Sequence, residues 1–142
     1  MKSYVKYSLF VVFFIALAGI LAGLYYYNLQ PGDLQKVKPD FVMTSAELLK
    51  AFEDNEAEAN TRFVKKIIEV SGIIESVKTV ENNALNISLK TESDLSSVIC
   101  TLTPVTDTSE FIPGSWITLR GECSGFLMDV LLNNCTVITE NR

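Results

Sequence analysis

The sequence predicts a mainly β protein. It reads as a small closed five-stranded barrel preceded by one amphipathic α-helix, behind an N-terminal transmembrane helix. Three observations lead there. Residues Leu9 to Tyr27 (LFVVFFIALAGILAGLYYY) carry no charge and no proline. One helical pattern follows a capping signature at Thr44. After it come five short strand patterns, two of them holding an internal glycine, Gly72 and Gly121.

The apolar run comes first. At about 1.5 Å rise per residue it spans close to the ~30 Å hydrocarbon core of a bilayer. Lys2 and Lys6 precede it and no acid does, while Tyr25, Tyr26 and Tyr27 close it as an aromatic belt would. This favours residues 1–8 in the cytoplasm, residues 9–27 as an anchor, and a domain on the far side. Lys36 and Lys38 near that far side weaken the asymmetry. Two other readings remain open. Ala16-Leu17-Ala18 offers a small-residue cleavage site for a secretory signal, although apolar residues continue well past it. The domain could also face the cytoplasm. The expected location is the inner (cytoplasmic) membrane, single-pass, with the domain facing the periplasm or cell exterior.

Residues 28–38 (NLQPGDLQKVK) read as a polar linker with a Pro31-Gly32 turn signal. Residues 39–142 are enough for one domain and not two. Counted from the end of the anchor, residues 28–142 hold ten basic residues and seventeen acidic ones, a net charge of −7. Nucleic acid and anionic lipid should repel this part. The chain has no histidine, which removes the commonest general base and the commonest metal ligand.

Thr44-Ser45-Ala46-Glu47 fits a capping box, with Met43 and Leu48 at the positions of a hydrophobic staple. Leu48, Leu49, Phe52, Ala59 and Phe63 fall near one face, so the helix should run from about Ser45 to Asn60. Period two then takes over. Lys66 to Val77 is a first strand, in which Gly72 suggests a bulge or bend. Glu81-Asn82-Asn83 is a turn. Leu85, Ile87 and Leu89 alternate with Asn86, Ser88 and Lys90. Val98, Cys100 and Leu102 mark a third strand, with Ile99, Thr101 and Thr103 outward. A longer connection ends in Pro113-Gly114. Trp116 to Cys123 is a fourth strand, with Ile117 and Leu119 on one face, and Val130 to Ile138 a fifth. Two bent strands would help such a sheet close and lose its edges. The alternative is an open sheet with the helix on one face.

The residues Glu47-Leu48, Phe52, Asn55-Glu56, Ala59, Phe63 and Lys66, then Glu69-Val70-Ser71-Gly72, Val98-Ile99-Cys100, Leu119-Arg120-Gly121-Glu122-Cys123, and Asp129-Val130-Leu131-Leu132 with Cys135 carry a resemblance. Over roughly Phe41 to Ile138 the chain resembles the tRNA_anti-like family of bacterial OB-fold proteins. The resemblance implies an OB-fold-like barrel behind an N-terminal anchor or signal. It implies no particular activity, since the family name records likeness to a nucleic-acid-binding domain.

OB folds commonly bind ligands on strands two and three and the adjoining loops. There Asn86, Ser88, Lys90, Ile99, Thr101 and Thr103 include no aromatic ring and one cation. Phe126, read as lying between strands four and five, could contact a ligand or plug the barrel end. Arg62, Lys65 and Lys66 form the domain's basic cluster, either a patch for a ligand or a balance to the acidic helix. Asn55-Glu56 could bind a ligand, or Glu56 could pair locally with Lys65 or Lys66. Glu53 and Glu56 share a helix face without any partner base, nucleophile or metal-ligand set. No catalytic residue, metal site or cofactor is expected. Cys100, Cys123 and Cys135 sit at inward positions. A disulfide of unknown pairing and three free thiols both stay open, because Cys123 and Cys135 sit out of register in a simple hairpin unless Asn133-Asn134 bulges.

The sequence therefore predicts a membrane-anchored, non-enzymatic binding module, its partner a protein or an oligosaccharide. A nucleic-acid-binding domain is the alternative, and charge makes that partner unlikely.

Overall fold

The computed structural model describes residues 2–28, 34–102 and 107–138, with side chains as far as Tyr26 in the first segment. Pro31-Gly32 of the expected linker, Thr103 and the side chain of Tyr27 lie outside the described residues. The chain forms two compact units, Met1–Gly32 and Asp33–Arg142.

The first unit is one helix, α1 (Lys2–Asn28). Its stretch Lys2–Tyr26 is long and apolar enough to cross a membrane, with a mean hydropathy of 2.4 over its most apolar 18 residues. Nothing interrupts the helix, because leucine, alanine and aromatic residues fill it and proline is absent.

The second unit is a closed five-stranded barrel with one extra strand and two short helices. Its elements are β1 (Phe41–Thr44), α2 (Ser45–Asp54), α3 (Glu56–Phe63), β2 (Ile67–Thr79), β3 (Leu85–Leu89), β4 (Val98–Leu102), β5 (Trp116–Leu127) and β6 (Asp129–Val137). The wall runs β2-β3-β4-β6-β5, and β2 pairs with β5 to close it. All these neighbours are antiparallel except β4 and β6, which run parallel. Thirteen residues of β2 serve two neighbours. Ile67–Ile73 pair with β5, and the later residues with β3. The alternation read in the sequence is the wall's inside and outside. Leu85, Ile87 and Leu89 are buried, as are Val98, Cys100 and Leu102, while Asn86, Ser88, Ile99 and Thr101 are half-buried on the outer side.

Three sequence expectations change. The helix expected over 45–60 is two helices. Asn55 adopts an extended backbone (φ −158°, ψ 94°), ends α2 and caps α3, its Oδ1 accepting from the Glu58 amide at 3.1 Å. Asparagine competes with the helical backbone for that bond, and here the cap wins. A sixth strand, β1, was hidden in Phe41–Thr44. It lies parallel to β2, Phe41 opposite Ile68 and Thr44 opposite Ser71, and so leads straight into α2. The capping box at Thr44 is present as expected, with the Thr44 amide donating to Glu47 Oε2 at 2.9 Å and the Glu47 amide to Thr44 Oγ1 at 3.2 Å.

Gly72 is the third change. The shift in register between β2 and β3 falls at Ile74 to Ser76, past the glycine. Gly72 has no left-handed backbone. It is glycine because α2 begins directly above it. A Cβ there would stand 2.5 Å from Ser45 Oγ and 3.2 Å from Ser45 Cβ. Ser45 is itself buried, and its hydroxyl donates to the Lys90 carbonyl at 2.7 Å. Gly72→Val should therefore cost about 2 kcal/mol by overpacking. Urea midpoints will show it, and Ser45→Gly in the same chain should return part of the loss. A midpoint unchanged by Gly72→Val would mean α2 lifts freely from the barrel.

Aromatic rings close the end beneath the helices. Phe63 packs edge-on to Phe41 at 4.9 Å between centroids, and Phe52 lies 5.9 Å from Phe63. Such pairs add to their area burial. The stretch read as linker joins the barrel from residue 34 onward. Arg120 Nη1 donates to the carbonyls of Leu34, Gln35 and Val37 at 2.9, 3.1 and 2.6 Å. Gln35 Nε2 donates to the Val137 carbonyl at 3.0 Å, and the Asp40 amide to the Ile67 carbonyl at 2.8 Å. Polar side chains with no apolar periodicity gave no sign of this, since three of the contacts are made by backbone carbonyls and one by the Gln35 amide.

Candidate functional site

The candidate residues do not converge. Phe126 belongs to β5, not to a loop, because β5 runs on to Leu127 and the hairpin turns at Met128 alone, with φ 68°. Its ring stacks on Phe52 at 5.7 Å and 26°, so it packs the end of the barrel under α2. Arg62 lies in the last turn of α3, where a cation suits the helix dipole. Its guanidinium lies 5.3 Å from the Phe41 ring centre and 5.1 Å from that of Phe63. Lys65 sits in the left-handed region (φ 63°) at the step from α3 into β2, and its amide donates to the Cys123 carbonyl at 2.8 Å. Lys66 follows it, exposed like Lys65. Among the described residues neither lysine pairs with Glu56. The Asn55 side chain is spent on capping, and Glu53 and Glu56, expected on one helix face, stand on different helices.

The three cysteines are free and buried. The expected bulge exists, with Asn134 at φ 53°. It places Cys123 opposite Leu132 and leaves Cys135 over Gly121. Cys100 lies on the neighbouring β4, and its thiol is pushed well up from the ordinary value by a hydrogen bond with Cys135 and by burial. Burial raises the Cys123 thiol as well. Both are therefore neutral core groups near pH 7, not nucleophiles. Among the described residues no three Cys, Asp or Glu side chains gather as a metal-binding group.

Lys90 is the candidate that does meet other residues. It follows β3 and its amide donates to the Ile73 carbonyl at 2.8 Å, which holds it beside β2. There it borders a groove of ≈ 320 Å³ with Thr44, Ser71, Gly72, Thr91 and Trp116. Trp116 stands directly opposite Ile73 on β5. It is 64% exposed, the one exposed aromatic ring among the described residues of this unit, since the phenylalanines all pack inward. Strand parity could have found it. Ile117 and Leu119 point one way along β5, so Trp116 and Thr118 must point the other. Arg120 follows on that same outward row, directly opposite Glu69 on β2.

A second cleft lies where α2 meets α3, lined by Asp54, Asn55, Glu58 and Arg62 among others. Its polar groups already have partners: Asn55 caps α3 at Glu58, Asp54 pairs with Lys50, and Arg62 lies over Phe41 and Phe63. The groove at Trp116 is the better-built site. Its indole is unpartnered, β2 lines it from Ser71 to Ile73, and its rim holds hydroxyls and one cation.

Comparison with known proteins agrees with this architecture. The model of the tRNA_anti-like family matches residues 1–137. No curated protein matches. Among solved structures the chain is similar to a "putative nucleic acid-binding lipoprotein" of Klebsiella pneumoniae subsp. pneumoniae MGH 78578, at 20% identity and a TM-score of 0.56, over 78% of this chain and 100% of that one. It is also similar to a chain of the S. pombe Stn1-Ten1 complex, at 15% identity and a TM-score of 0.38, over 52% of this chain and 59% of that one. At 20% identity the first likeness concerns the fold alone, and nothing is drawn from the second.

Proposed function

The chain belongs to the tRNA_anti-like family, and from that premise we propose that it is a membrane-anchored, non-enzymatic OB-fold binding module exposed outside the cytoplasm. One observation carries the reading. A long apolar helix precedes a compact acidic barrel whose interior is filled by side chains, so any ligand must be met on the outer wall. Lys2 and Lys6, ahead of the apolar run, and the absence of acids there support the outward orientation. The partner is a protein or an oligosaccharide.

A nucleic-acid ligand is the second reading, favoured by the name of the Klebsiella relative. Physical chemistry weighs against it here. A domain at −7 lacks the counterion-release term, and the outer face of β3 and β4 offers Asn86, Ser88, Ile99 and Thr101 with no ring to stack on. Stacking is worth about 1–3 kcal/mol per base, so an absent platform is a large loss.

Two measurements test the proposal. Alkaline phosphatase fused after Arg142 should be active in intact bacteria, because that reporter folds only outside the cytoplasm. An inactive fusion, with a fluorescent cytoplasmic reporter at the same place, would reverse the orientation. Fluorescence anisotropy with mixed-sequence single strands should show no binding tighter than about a micromolar at physiological salt, the strong end of ordinary non-specific binding. A tighter constant would replace the proposed ligand class with nucleic acid.

A further inference from the structure

We propose that the groove at Trp116 is a subsite for a neutral oligosaccharide, with the indole as its stacking platform. This rests on the reading of the domain as an extracytoplasmic binding module. It concerns a different place from the β3–β4 face that OB folds commonly use.

The shape comes first. Ser71, Gly72 and Ile73 of β2 line the groove, and Ser45 at the start of α2 fills the inner side of Gly72. Ile73 and Trp116 are cross-strand partners, so they form one apolar wall. An indole held at the start of a strand, directly after the turn at Pro113-Gly114, has its ring exposed without being mobile on a long loop. The groove of ≈ 320 Å³ lies at the small end of ligand pockets, which run about 300–1,000 Å³. A stable protein interface needs about 800 Å² on each side, far more than one ring and its neighbour supply.

The rim decides the chemistry. The Thr91 hydroxyl donates to the Ser96 carbonyl at 2.6 Å and accepts from the Ser93 amide at 3.2 Å, so its hydrogen is spent and one lone pair remains to accept. The Thr44 hydroxyl accepts from the Glu47 amide at 3.2 Å, so its own hydrogen remains to donate. Both are fixed by those bonds before any ligand arrives. The Lys90 ammonium adds a second donor type. A pyranose needs this combination: an aromatic surface for its C–H face, and fixed donors and acceptors around it for its hydroxyls. A nucleic acid would need several phosphate-neutralising cations, and Lys90 alone stands against a domain at −7. A neutral glycan is indifferent to that charge.

The chain holds a single tryptophan, so its emission reports this groove alone. The full chain is kept in lauryldimethylamine oxide, because a sugar-headed detergent would compete. Chitohexaose, cellohexaose and a mixed-sequence 12-mer DNA are titrated in turn. Expected is a saturable blue shift with at least one of the two hexasaccharides and none with DNA. Calorimetry with the same sugar should show binding weakened at least tenfold by Trp116→Ala and several-fold by Lys90→Ala, both variants keeping the parent circular dichroism spectrum. Silence with both hexasaccharides overturns the inference, as does sugar binding that Trp116→Ala leaves unchanged. If DNA moves the emission, the proposed function falls with it. If neither sugar nor DNA does, the inference falls alone, because the reporter fusion judges the module reading separately.

Discussion

Gly121→Ala is expected to lower the stability of the barrel by about 3 kcal/mol, at the upper end of what overpacking usually costs. A single methyl group does this because two strands meet most closely there. On β6 two residues, Asn134 and Cys135, stand where one would match Gly121, between the pairs Arg120–Thr136 and Glu122–Asn133. The bulge turns Cys135 inward over the glycine. A Cβ at 121 would overlap the Cys135 thiol and lie 3.0 Å from the Asn133 carbonyl oxygen and 3.4 Å from Cys135 Cα. The thiol can be removed and the backbone cannot. Cys135→Ala should therefore recover part of the loss in Gly121→Ala and none in the bulkier Gly121→Val. Urea midpoints for the four chains give the coupling directly, since residues in contact are not additive. Simple additivity of Gly121→Ala and Cys135→Ala would show that the close approach is not what requires glycine.

The two strand glycines show how far the sequence could be read. An isolated glycine in a β-branched run rightly signalled closure of a barrel, and the outer and inner rows of β3 and β4 followed from alternation alone. The physical reason for each glycine did not follow. Gly72 yields to a helix start twenty-seven positions earlier in the chain, and Gly121 to a bulge in a strand that pairs with it. Both causes are contacts between distant segments, which no local pattern records. The break at Asn55 was legible in principle, since asparagine favours caps. Apolar positions that continued in register across it, from Phe52 to Ala59 and Phe63, outweighed that single residue. β1 was masked for another reason. Four residues are too few to establish a period, and its Thr44 announced the next element instead. For the candidate groove, parity would have pointed Trp116 outward, but the sequence reading passed it over. Its meeting with Lys90 depended on the pairing of β2 with both β3 and β5.

Arg120→Met should cost a similar amount, about 3 kcal/mol, the lower range for breaking a buried ion pair from one side. Arg120 and Glu69 are largely buried, with side chains 11% and 18% exposed, and Arg120 Nε donates to Glu69 Oε2 at 3.1 Å while Nη2 reaches the same oxygen. Removing the cation strands that carboxylate among half-buried strand residues. The same guanidinium uses Nη1 to gather the carbonyls of Leu34, Gln35 and Val37. Lysine has one ammonium and cannot serve the acid and three carbonyls at once, so Arg120→Lys should recover little. The two roles separate in the double variant. Arg120→Met with Glu69→Met removes both charges and should regain most of the stability, because a buried pair replaced as a whole costs far less than one that is broken. It should not restore the strap. Trypsin should then cut after Lys36 and Lys38 faster in the single and the double variant alike, with the rest of the barrel intact. Shortening tests the strap from the other side. A chain beginning at Pro39 should fold, yet be less stable than one beginning at Asp33, because Arg120 keeps its acid and loses its carbonyls. Equal urea midpoints for those two chains, with equal trypsin rates across the Arg120 variants, would reduce residues 34–38 to the passive linker that their composition suggests.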